Sequence, residues 1–157
     1  MKIKLIVVGK TNMKYLIEGE LEYDKRLKHY VKFEEILIQD VKNAKNLSHK
    51  DLKKREGDLI LAKIENSDHV VLLDDKGKQF SSVDFSDFLN HKMLKSTRFL
   101  IFIAGGAFGF SDEVYARADT KLSMSKMTFS HQMVRMIFKE QLYRAFTILK
   151  GEKYHHE

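Results

Sequence analysis

Five apolar runs of strand length alternate along this chain with stretches that repeat at helical spacing, and that alternation leaves few architectures open. Residues 3–8 form a nearly continuous apolar run ended by Gly9, and Phe33, Ile36 and Ile38 mark a second strand. Residues 69–74 (HVVLLD), 98–104 (RFLIFIA) and 120–124 (TKLSM) supply three more. Strands separated by helices pair in parallel, because each helix carries the chain back to the starting edge, and the helices then cover both faces of the sheet. The expected fold is therefore α/β, a mostly parallel sheet flanked by helices, in one domain spanning residues 1–157. The most apolar run, 98–104, is expected at its centre.

The helical stretches carry their own stop and start signals. Leu16, Glu20, Tyr23, Leu27 and Tyr30 share one face, with Glu20 the polar exception. Ser48 three residues before Asp51 resembles a capping box, opening a helix to about residue 64 with Leu52, Leu59 and Ile60 facing inward. DDKGK at 74–78 reads as a turn. Ser81 or Ser82 caps a helix that buries Phe85, Phe88 and Leu89, and Ser111 caps a short one over 111–118. The last helix runs from about 131 to 150 and stops before Gly151. Its core stripe is Val134, Ile137, Phe138, Leu142, Ala145 and Leu149, but Met133, Met136, Tyr143 and Phe146 make much of the other side apolar too. Such a helix is either central or dimer-forming.

Composition narrows the chemistry. With no cysteine among 157 residues there is no disulfide, no thiolate metal site and no cysteine nucleophile. No apolar run reaches the length of a membrane span, so a soluble, cytoplasmic protein with no membrane partner is expected. A net charge of +6 favours polyanionic partners. The densest basic run, HKDLKKR at 49–55, reads as a solvated helix face.

In open parallel sheets ligands sit beyond the carboxyl ends of the strands, which selects the loops at 73–78, 105–109 and 124–130. GGAFG lacks the G-x-G-x-x-G spacing of a dinucleotide site and is too short for a Walker loop. Its paired glycines fit either a tight turn or a backbone that closes on a ligand. Ser130 is placed as an N-cap with His131 in the first turn, where the helix dipole disfavours an imidazolium. His131 is thus expected neutral, and structural or ligand-facing. Glu140 and Arg144 are spaced for an ion pair, and a guanidinium so held can orient a phosphate or a base.

Together LLDDKGK, IAGGAFGF, LSMSKMTFSHQMVRMIFKEQLYRAFTILKGEKYH and the N-terminal VVGK resemble the RlmH family. Its members are bacterial SPOUT-class enzymes that methylate N3 of the pseudouridine at position 1915 (helix 69) of 23S ribosomal RNA. The resemblance covers nearly the whole chain and is most specific in the C-terminal third, where S-x-M-T-x-x-H, then R, then EQ-x-YRA, then G-x-x-YH follow in order. It implies a C-terminal trefoil knot, a homodimer, S-adenosyl-L-methionine as cofactor and no metal. It also implies 23S rRNA in the large subunit or the 70S ribosome as partner. By the same resemblance the cofactor meets Leu73, Gly105 and the segment Met124, Ser125, Lys126, Met127, Thr128 and Phe129. Arg144, Tyr154 and His155 would carry the chemistry, His155 as the candidate base, with the tail of one subunit completing the site of the other. One departure stands out: the family usually has proline before the histidine, whereas here that residue is Ser130 and the chain has no proline at all.

Overall fold

A computed structural model describes residues 1–156. Its elements in chain order are β1 (Lys2–Val8), α1 (Lys14–Leu27), β2 (Lys32–Ile38), a 3-10 turn (Ala44–Asn46), α2 (His49–Leu61) and β3 (His69–Gln79). There follow α3 (Ser82–Leu94), β4 (Phe99–Ala104), α4 (Asp112–Arg117), β5 (Thr120–Ser123) and α5 (Met133–Leu149). The strands form one sheet in the order β2-β1-β4-β3-β5, and every pairing is parallel. As its apolarity predicts, β4 lies at the centre.

Side chains alternate across a strand, and the core divides accordingly. Ile3, Leu5, Val7, Val71, Leu100 and Phe102 pack with Leu27, Phe85, Phe138 and Leu142, so α1, α3 and α5 cover one face. Ile6, Val8, Val70, Leu72, Ile101 and Ile103 pack with Ile60 and Val114, so α2 and α4 cover the other. Among the described residues no helix is long and apolar enough to cross a membrane.

Three local readings change. The DDKGK turn lies inside β3: Leu122 pairs first with Leu73 and then with Lys78, so the residues between them bulge out while the strand continues to Gln79. Leu59, expected inward, is exposed, because α2 turns Gly57 and Ile60 toward the sheet. And α5 begins at Met133, although the Ser130 hydroxyl still accepts a hydrogen bond from the Met133 amide at 3.1 Å, as a capping serine should.

The polar interruptions of α1 and α5 meet inside the molecule. Arg135 is buried, and its guanidinium donates to the carbonyls of Val8 and Gly9 at 2.5 and 2.8 Å and to the Thr11 hydroxyl at 3.2 Å. Those carbonyls end β1, so one side chain finishes a strand and fixes α5 to it. One turn on, Lys139 is also buried and lies 3.1 Å from Glu20, 3.1 Å from Asp24 and 2.8 Å from Glu35. The polar exception predicted at Glu20 is therefore one of three carboxylates gathered round a buried lysine.

Candidate functional site at the carboxyl ends of the strands

The three loops chosen by the strand-end rule converge on one cavity of about 470 Å³, within the usual ~300–1,000 Å³ of small-molecule sites. After β4 the backbone makes a tight loop: Gly109, at φ +83°, donates its amide to the Gly106 carbonyl at 3.2 Å. The loop carries Ala107 and Phe108 at its tip and returns to the buried Phe110. A Cβ on Gly105 would stand 3.0 Å from the Phe110 ring, so glycine keeps the loop pressed against the strand end and leaves its main chain facing the cavity.

The β3 side is held by a short polar chain. Tyr115, reaching across from α4, donates to Asp74 at 2.5 Å, and the Lys76 amide donates to the same carboxylate at 2.8 Å. Burial, together with Asp74, pushes the Tyr115 phenol above its usual range, so it stays a donor. On the third side the segment after β5 is pinned by serines. Ser123 donates to the Ser125 carbonyl at 2.9 Å, and Ser125 accepts from the Met127 amide at 2.9 Å. With the Ser130 cap, these bonds brace a segment that contains no proline.

Of the residues expected to hold a cofactor, Leu73, Gly105, Met124, Ser125, Met127, Thr128 and Phe129 line the cavity. Lys126 is exposed and is not among the lining residues. Val134 in the first turn of α5 and His131, which lies before the helix and not in its first turn, complete the wall. Burial, and then the charge of Arg135, lower the His131 pKa, which agrees with a neutral imidazole, although burial rather than the helix terminus is the main cause. Sequence reasoning missed Tyr115, whose link to Asp74 joins residues far apart in the chain.

Arg144, Tyr154 and His155 also come together, but elsewhere. Arg144 donates to Glu140 at 2.6 and 3.1 Å, and its other terminal nitrogen lies 3.4 Å from the His155 Nδ1. Tyr154 donates to the same Glu140 oxygen at 3.1 Å and lies beneath the Arg144 guanidinium, 4.7 Å from ring centroid to Cζ. The bond to Glu140 raises the Arg144 pKa further above its already high value, so the charge is permanent. The tail carrying Tyr154 is ordered by packing on Tyr143, 4.7 Å between centroids, and by the Tyr30 hydroxyl donating to Glu152 at 2.5 Å. Glu140, read from sequence only as an ion-pair partner, is the hub of the cluster. None of its members lines the cavity.

Residues 1–155 match the model of a family described as "Predicted SPOUT methyltransferase". A protein of Christiangramia forsetii named Ribosomal RNA large subunit methyltransferase H is 57% identical over 156 residues, covering 99% of both chains. One of the same name from Parabacteroides distasonis is 54% identical over 157 residues, covering 100% of both. Among solved structures, a "probable methylase family protein" from Haemophilus influenzae Rd KW20 has the same fold, with a TM-score of 0.51 at 11% identity over 99% of this chain and 70% of that one.

Proposed function

This chain belongs to the SPOUT methyltransferase family, and from that premise we propose that it methylates large-subunit ribosomal RNA in the cytoplasm. The methyl donor is S-adenosylmethionine, and the acceptor is N3 of the pseudouridine in helix 69 of 23S rRNA. The observation that carries this reading is the convergence of three strand-end loops on one cavity, in a chain that matches named rRNA methyltransferases from end to end.

The residues present fit the donor. Leu73, Met124 and Val134 offer apolar wall, Gly105 and Gly106 offer main chain at close range, and Asp74 and Asp75 offer negative charge. That set suits an adenosine attached to a cationic amino acid. When bound, the cofactor supplies a sulfonium-activated methyl group. The chain's task is to place it in line with the acceptor, and positioning alone can supply about 7–11 kcal/mol of the barrier.

N3 of a pseudouridine carries a proton that must leave before or during the attack on the methyl group. His155 would take it on Nδ1, the ring nitrogen that lies 3.4 Å from Arg144, and Arg144, held by Glu140, would turn to the negative charge left on the flanking carbonyl oxygens. Tyr154 keeps the guanidinium in place from below. With the cofactor bound, the methyl carbon would pass from sulfur to N3, and the proton displaced from N3 would rest on His155.

The proposal includes a homodimer and a knotted C-terminal third. Ile17 and Leu21, one turn apart, are exposed on one flank of α1, and Met127 and Phe129 remain exposed at the cavity mouth. Both are surfaces that a second copy would cover. The loop between β5 and α5 is the segment the knot would thread.

The test is incubation with labelled S-adenosylmethionine and ribosomes from a strain lacking this gene, followed by mapping of the methylated nucleotide. One methyl group on N3 of the helix 69 pseudouridine is expected. A ribose-methylated product would assign the family's chemistry to another atom, and RNA binding without cofactor uptake would refute the enzyme reading.

A further inference from the structure

The stretch from Val41 to Arg55 holds six basic side chains and one acidic one, Asp51, in a chain whose whole net charge is +6. Asp51 is engaged by the Ser48 cap at 2.6 Å, and Lys54 pairs with Asp58 and Glu113 at 3.8 and 3.6 Å. Among the described residues Lys42, Lys45, Lys50, Lys53 and Arg55 have no acidic partner, and all but Lys53 are exposed. As a sequence its second half, residues 49–55, reads as a solvated helix face. The fold attaches it to the cavity.

The attachment is an aromatic stack. His49, exposed at the start of α2, lies over Phe108 at the tip of the glycine loop, with ring centroids 3.8 Å apart and planes 22° apart. Phe108 is 47% exposed although it borders the cavity mouth. The turn itself needs Gly109 and the Gly106 carbonyl, not an aromatic at its tip. A phenyl ring backed by an imidazole and left half in water is a ready face for another flat ring.

We propose that the His49–Phe108 stack is a platform for an unpaired RNA base beside the methylated one, with Lys42, Lys45 and Lys50 holding the adjoining phosphates. The inference rests on reading the cavity as an RNA methyltransferase site. Chemistry on a base in a stacked RNA requires that base to be drawn out of its stack, which strips its neighbour of a stacking partner. An aromatic face at the cavity mouth replaces that partner and tolerates any base, while lysines hold the backbone without reading sequence.

Binding of the wild type, Phe108→Ala, Phe108→Trp and a Lys45→Gln/Lys50→Gln double variant to unmethylated large ribosomal subunits tests the platform, with S-adenosylmethionine affinity measured separately by calorimetry. Phe108→Ala should weaken subunit binding by about 5- to 150-fold, the range for loss of one stacked base. Phe108→Trp should restore it, and cofactor affinity should hold in both. The lysine pair should flatten the salt dependence of binding. The platform is overturned if Phe108→Ala binds subunits as the wild type does, or if it loses cofactor affinity by the same factor, which would make the ring part of the cofactor cradle. An unchanged salt dependence in the double variant would remove the phosphate contacts. A wild-type protein that methylates no subunit would instead overturn the functional reading beneath the inference.

Discussion

Gly77→Ala would test how the cavity is held together. The residue reads as turn glycine, yet its φ is not positive, so its own backbone does not demand glycine. Its neighbour does. A Cβ at Gly77 would sit 2.7 Å from the backbone N and carbonyl C of Leu122 and 2.7 Å from the carbonyl C of Lys121, where ordinary contact begins at 3.4 Å. Backbone cannot swing aside like a side-chain end, so β5 must retreat by about 0.7 Å, into a core that resists overpacking. Such overpacking costs about 1–3 kcal/mol, and at roughly 2–4 °C per kcal/mol for a chain of this size the melting temperature should fall by about 2–12 °C. Leu122 pairs with Leu73, and β5 leads into Met124, so two cavity walls shift together and cofactor affinity should fall as well. Thermal unfolding and calorimetric titration read the two effects. Gly109→Ala is the contrast: nothing lies within 4 Å of its Cβ, but its φ is +83°. Its cost is conformational and partly recovered by Asn, which tolerates that region. An unchanged melting temperature together with unchanged affinity in Gly77→Ala would refute the close approach of β5.

Lys139→Met leaves Glu20, Asp24 and Glu35 facing one another without their cation, so the variant should lose about 3–5 kcal/mol in urea unfolding at pH 7. A loss below about 1 kcal/mol would mean that water already screens the cluster. Glu56 has its pKa raised by burial and then by Asp40. Its protonated form is the one the fold prefers, so its contribution is present at low pH and lost as pH rises through the raised value. Glu56→Gln should therefore stabilise the protein at pH 7 and make no difference near pH 4, and equal gains at both pH values would contradict this. Removal of residues 152–157 should abolish methyl transfer while leaving S-adenosylmethionine affinity largely intact; unchanged turnover would take the tail out of the chemistry.

What could be read in advance follows the range of the interactions. Sheet order at the centre and the two faces of each strand depend on apolarity and on a two-residue period, both local. The three loops were legible because strand ends in a parallel sheet share one edge, whatever the details of the turns. Leu59 was misread because hydrophobicity was followed instead of face: on α2 the side toward the sheet is set by Gly57 and Ile60, and a Cβ at Gly57 would meet the Ser111 Oγ at 2.4 Å. The roles of Arg135 and Lys139 were not legible at all. Their partners at Val8, Gly9 and Glu20 lie more than a hundred residues away, and nothing in the local spacing of α5 distinguishes a buried cation from an exposed one. Tyr115 was missed for the same reason, since its bond to Asp74 spans 41 residues.

The Arg144 cluster and the cavity stand apart on one helix, and that separation makes the dimer proposal testable. Val134 lines the cavity, and Arg144 lies ten residues further along α5, a displacement of about 15 Å at 1.5 Å per residue. Methyl transfer requires reacting atoms within about 3.5 Å of each other, and no member of the Arg144 cluster lines the cavity of its own chain. In the proposed dimer each cluster would lie against the other copy's cavity, and a two-fold axis would make two identical sites. A subunit with Gly105→Leu keeps its tail but loses its cavity, and one lacking residues 152–157 keeps its cavity but loses its tail. Each variant should be inactive alone. Unfolded and refolded together in equal amounts, half of the dimers are mixed and each mixed dimer has one intact pair, so about a quarter of wild-type activity should return. If cavity and tail worked within one chain, every site would carry a defect and the mixture would stay inactive.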